Sequence, residues 1–146
     1  MSAPRTSLTR RRPPAPASAA TTLPAERQSP YRARRFVADH LEDWGCAHAT
    51  EVTTLLVSEL VTNGVTHAAT PVGLAVGCDG SVVAVAVTDG MPDGVDATVS
   101  PQPWRRAAPS GRGLQIVDAL ALRWGVAVHD NGKTVWFEVP VEPSDA

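Results

Sequence analysis

Between Ser29 and Gly45, Phe36, Val37, His40, Leu41 and Trp44 recur at a spacing of three and four that predicts a helix. Ser29-Pro30 supplies a capping hydroxyl followed by a proline suited to a first helical turn, and Gly45 marks the stop. A second helix is expected from about Thr50 to Ala68, with Val52, Leu55, Leu56, Leu60 and Val61 as its apolar stripe and Pro71 just beyond its end. The period then changes. Val72–Cys78 and Ser81–Thr88 read as strands joined by the hairpin turn Asp79-Gly80, and Val83, Val85 and Val87 alternate with Ala84 and Ala86. From Asp89 to Gly111 the pattern is lost in Gly, Pro, Asp and Ser, a connection long enough to read as a lid over residues 90–110. Gly113 to Arg123 returns to helical spacing through Leu114, Ile116, Val117, Leu120 and Leu122. Val126–His129 and Thr134–Val139 then flank Asn131-Gly132, a second hairpin signal. A short extra strand near Thr21–Leu23 is weakly signalled. This order predicts an α/β two-layer sandwich, with helices on one face of a mixed, mostly antiparallel sheet.

Composition narrows the classes. At 146 residues the chain fits one domain, and 43% hydrophobic residues exclude wholesale disorder. No run approaches the roughly 18 apolar residues of a membrane span, so no membrane association is expected. Two cysteines, Cys46 and Cys78, are too few for a disulfide framework or a cysteine-rich zinc site. They are expected to be small, reduced core residues, which suits a cytoplasmic location.

The net charge of −2 hides an asymmetry: residues 1–35 carry +7, eight arginines against Glu26, and the remainder carries −9. The chain divides into an Arg/Pro-rich arm (1–20), a domain (21–142) and a short tail (143–146). The arm has too few large apolar residues to offset its ordering entropy, so it is read as a disordered, solvated segment. A tether for nucleic acid or acidic lipid, or a transit-type presequence, are the functional alternatives. Without an apolar stretch it is not expected to act as a secretory signal, and without interleaved aromatics direct nucleic-acid binding is not expected.

Three groups of residues fit chemistry better than architecture. Glu59, Asn63 and His67 stand at i, i+4 and i+8 of the second helix, one polar row on one face. An Asn amide oxygen is a hard ligand suited to magnesium, which takes few protein groups and completes its shell with water and phosphate. A carboxylate one turn earlier can orient or deprotonate an attacking hydroxyl or water. His67 would contact phosphate or act as a donor at the helix terminus. Asp89 ends an apolar strand, where a carboxylate either shapes a turn or accepts from the exocyclic amine of a purine. Ser110-Gly111-Arg112-Gly113-Leu114 opens the third helix: its glycines admit a ligand to the backbone, its free N–H groups suit an anion, and Arg112 adds charge. It is neither a Walker A loop nor a dinucleotide fingerprint.

Together these pieces resemble the ATP-binding fold shared by gyrase, the heat-shock 90 chaperones, histidine kinases and the mismatch-repair MutL proteins. Within it the chain is most similar to the bacterial anti-sigma-factor serine/threonine-protein kinases, over about residues 21–140. LVSELVTNGVTHA (56–68) resembles the N-box of that family, VAVTDGMPDG (85–94) its first glycine box, SGRGLQIVDALALRWGV (110–126) its second, and GKTVWFEV (132–139) its closing strand. The resemblance implies that Glu59 is the catalytic carboxylate and Asn63 the Mg2+ ligand. It implies that Asp89 accepts from the adenine amine with Gly90 lining the base, and that Thr134 lies near the purine. Gly111, Arg112 and Gly113 would face the phosphates of ATP, and His67 and Leu114 belong to the same nucleotide-binding set. It further implies binding to a sigma factor, phosphorylation of a serine on an anti-anti-sigma factor, and, in many members, a homodimer. The chain departs from the family at Asp89-Gly90-Met91-Pro92, where Asp-x-Gly-x-Gly is frequent. It departs at Gly64, where Ala is usual, and at Pro109, where some kinases carry a phosphate-contacting arginine. A non-catalytic module in which nucleotide only sets a protein-binding conformation is the main alternative; a detached sensor-kinase catalytic domain ranks third.

Overall fold

The computed structural model describes residues 17–90, 112–130 and 132–141; for His67, Arg112 and Gly113 it describes only the backbone. The elements run β1 (Ala17–Leu23), α1 (Ser29–Asp43), a 3-10 turn (Ala47–Ala49), α2 (Thr50–Asn63), a π turn (Gly64–Ala68), β2 (Val72–Cys78), β3 (Val82–Asp89), α3 (Arg112–Leu120), β4 (Arg123–His129) and β5 (Gly132–Pro140). The five strands form one sheet in the order β1-β2-β3-β5-β4, and all four pairings are antiparallel rather than mixed.

One face of the sheet is buried under the helices. Val72, Leu74 and Val76 of β2, Val83, Val85 and Val87 of β3, and Val135, Phe137 and Val139 of β5 alternate inward, as a two-residue side-chain period requires. Val37 and Leu41 of α1, Leu56, Val57, Leu60 and Val61 of α2, and Leu114 and Val117 of α3 close over them.

Several boundaries differ from the sequence expectation, each for a local reason. β1 begins at Ala17, inside the stretch assigned to the arm, because Ala17–Leu23 pairs in full with β2 from Cys78 back to Val72. Backbone pairing supplies what its small side chains do not advertise; residues 1–16 and 142–146 lie outside the described residues. Ser29 is the first residue of α1 rather than its cap. Gln28 takes the cap position, and the buried Ser29 hydroxyl donates to the Pro24 carbonyl at 2.6 Å. α3 stops at Leu120, and Arg123 opens a strand instead of closing a helix. There Leu122 N–H donates to the Glu138 carbonyl at 2.7 Å and Arg123 Nε to the Glu138 carboxylate at 2.9 Å. β4 and β5 start earlier than expected, and β3 extends to Asp89. Of the expected lid, residues 90–110, all but Gly90 lie outside the described residues. Cys46 and Cys78 are both buried, as expected, but they stand side by side as a disulfide pair.

The stop of α1 is the expected one. Gly45 adopts φ +78°, its N–H bonds to Glu42 O and the N–H of Cys46 bonds to Leu41 O, the paired bonds of a Schellman motif. No atom lies within 4 Å of a Cβ placed there, so only the backbone conformation opposes a side chain. Gly45→Ala is therefore expected to lower stability by about 1 kcal/mol, read from the denaturation midpoint.

Candidate functional site

The site forms where the end of α2 meets the ends of β3 and β5. Thr53, Leu56, Val57, Leu60 and Val61 bury one stripe of α2, and that leaves Glu59 and Asn63 half-buried along its flank. Both lie within the α-helical segment, so they keep the one-turn spacing expected of them. Among the described residues neither the Glu59 carboxylate nor the Asn63 amide has a hydrogen-bonding partner. After Asn63 the helix loosens. Ala69 N–H reaches back five residues to Gly64 O at 3.1 Å, and Ala69 ends the π turn in the left-handed conformation at φ 56°. Residue 67 therefore does not follow Asn63 at the α-helical spacing from which its place in the row was read.

Gly64, just after Asn63, is where the helix touches the sheet. A Cβ on Gly64 would lie 3.0 Å from Val72 Cγ2 and 3.2 Å from Asp89 Oδ2. The departure from alanine at this position thus makes room for the Asp89 carboxylate. Beyond the π turn, Thr70 Oγ1 accepts from the Gly90 N–H at 2.8 Å and fixes the first residue after β3. Asp89 is only 5% exposed, and Lys133 Nζ lies 3.0 Å from both of its oxygens. A buried carboxylate needs such charge-assisted donors to persist in ionised form.

Lys133 was not among the residues singled out from the sequence; Thr134 was. The register explains the exchange. Asp89 pairs with Lys133 and continues the inward rows Val83, Val85, Val87 and Val135, Phe137, Val139, so both face the helices. Thr134 pairs with Thr88 and points to the opposite face, where the two hydroxyls meet at 2.7 Å and His129 Nε2 lies 3.3 Å from Thr134 Oγ1. A lysine at the end of an alternating buried row was the available signal.

The remaining expected residues divide. Gly90 stands beside Asp89. Leu114 is buried in the core with Val117. Arg112 and Gly113 begin α3, and Gly111 lies outside the described residues.

The residues present fit a nucleotide and its metal ion. Gly64, Gly90 and Gly132 let the chain pack closely next to Asp89: a Cβ would crowd Val72 and Asp89 at Gly64, Thr70 at Gly90 and the Asp89 backbone at Gly132. Among the described residues no three His, Cys, Asp or Glu side chains converge as a metal site. An ion here would rest on the Asn63 amide, water and ligand phosphates, a donor set that suits Mg2+.

Helices over one face of an antiparallel sheet, with a buried carboxylate at a strand end beside an Asn-bearing helix, make the α/β architecture expected of an ATPase-type domain. The family model for the histidine kinase-like ATPase domain matches residues 23–139, and the chain belongs to that family. A search of curated proteins returned no match. Among the described residues no helix is long and apolar enough to cross a membrane.

Proposed function

We propose that this ATPase-family domain is an anti-sigma factor that binds ATP and Mg2+ and phosphorylates a serine on an anti-anti-sigma antagonist. The observation that carries the reading is the close approach of Gly64, the residue after Asn63, to the buried Asp89 at the end of β3. The reading casts Asn63 as the metal ligand, Glu59 as the carboxylate that takes the proton and Asp89 as the acceptor for the nucleotide base. The three sequence boxes, in their order, support the finer assignment.

In this reading Asp89 accepts from the adenine amine, Asn63 holds the metal ion, and the start of α3 offers backbone N–H groups and Arg112 to the phosphates. Bound Mg2+ supplies neutralisation of the phosphate charge. Glu59 orients the attacking serine hydroxyl and takes its proton as the oxygen bonds to the γ-phosphorus. The bond to the β–γ bridging oxygen breaks, and ADP leaves. Phosphoryl transfer asks little covalent work of a protein beyond positioning and charge, which these groups supply.

The same reading has the protein acting in the cytoplasm, often as a homodimer, with sigma factor and antagonist exchanging on it. The test is transfer of label from γ-labelled ATP to serine on the antagonist. Glu59→Gln is expected to bind ATP like the wild type and to lose transfer by at least about a hundredfold. ATP binding with no transfer by the wild type would favour the alternative, a non-catalytic nucleotide-dependent protein-binding module, for which Pro109 and the Asp89-Gly90-Met91-Pro92 box speak.

A further inference from the structure

We infer that Lys133 reads the nucleotide base directly, donating to the N1 acceptor of adenine while Asp89 accepts from the adjacent N6 amine. The inference rests on the nucleotide reading above and adds a residue to it. Lys133 sits directly opposite Asp89 in the β3–β5 ladder, on the face that carries the site, with Nζ 3.0 Å from each carboxylate oxygen. Its side chain is 25% exposed against 6% for Asp89, so the lysine is the more solvent-accessible member of the pair.

An ammonium carries three donor hydrogens, and an ionised carboxylate has about four acceptor sites. The two contacts to Asp89 leave the Lys133 ammonium a third hydrogen to offer a ligand. The hydrogen-bonding edge of adenine presents an amine donor beside a ring-nitrogen acceptor, the complement of an adjacent acceptor and donor. Guanine presents the reverse order, a carbonyl acceptor at position 6 and an N–H donor at position 1. It would set carbonyl against carboxylate and N–H against ammonium. The Asp89–Lys133 pair thus favours adenine through two contacts. Thr134 cannot make the second one, because its hydroxyl is on the other face of the sheet with Thr88.

The test compares the affinities of ATP and 1-deaza-ATP, in which N1 is a C–H, for the full-length wild type, Lys133→Met and Lys133→Arg. The wild type is expected to bind 1-deaza-ATP roughly tenfold or more weakly than ATP, the loss of one charge-assisted hydrogen bond. Lys133→Met is expected to bind the two alike, and Lys133→Arg, which keeps a donor, to retain part of the preference. A lysine that merely neutralised Asp89 would shift both affinities together and leave their ratio near one in every variant. Equal binding of the two nucleotides by the wild type, or a full preference persisting in Lys133→Met, overturns the inference while the nucleotide site stands. Should Lys133→Met not fold, the wild-type and Lys133→Arg ratios decide. No ATP binding by the wild type overturns the nucleotide reading, and the inference with it.

Discussion

Gly132→Ala is expected to cost on the order of 3 kcal/mol or more of stability and to dismantle the base end of the site. A Cβ at this position would run into the Asp89 carbonyl oxygen and lie 2.8 Å from both the Asp89 carbonyl carbon and Gly90 Cα. These are backbone atoms of the neighbouring strand, so no rotamer change relieves the contact. The φ of +149° adds a conformation that side-chain-bearing residues rarely adopt. The ladder must open just where Asp89 pairs with Lys133, which would separate the two charges. Denaturant unfolding followed by circular dichroism would show a lowered midpoint, well below that of Gly45→Ala. A near-native midpoint would mean that the β3–β5 end is looser than its register indicates.

Asn63→Ala is expected to leave the fold intact and to remove magnesium-dependent ATP binding. The Asn63 amide is half-buried at the last α-helical position, and among the described residues it has no hydrogen-bonding partner to lose. Alanine is also the stronger helix former, so the stability change should be small or favourable. What disappears is the hard oxygen that the metal reading requires. Equilibrium dialysis with labelled ATP, at several Mg2+ concentrations, would show the wild-type response to magnesium flattened in the variant. Unchanged magnesium dependence would place the metal on other groups.

Most of the architecture was legible because hydrophobic period tracks burial closely in this chain. Val83, Val85 and Val87 predict an inward row and form one, and β2 falls at the expected bounds. β1 was nearly silent, since Ala-Ser-Ala-Ala-Thr-Thr carries no apolar row; its order comes from the edge it completes on β2. The cysteine pairing was equally hidden: residues 32 apart in sequence meet only because the loop after α1 passes the end of β2. In the site, polar residue types within named motifs pointed to Glu59, Asn63 and Asp89. The lysine opposite Asp89 was missed because a motif gives neighbours in sequence, whereas the pleat decides which neighbour shares a face. One residue of register separates Lys133, which meets Asp89, from Thr134, which does not. The break from α to π geometry at Gly64 was likewise invisible to a fixed helical period.

The central claim, a nucleotide site between the end of α2 and the strand end at Asp89, is tested most directly by calorimetric titration of ATP into the full-length wild type, with and without Mg2+. The account predicts saturable binding at one site per chain, tightened by magnesium and competed by ADP. No saturable binding of ATP under either condition would contradict it.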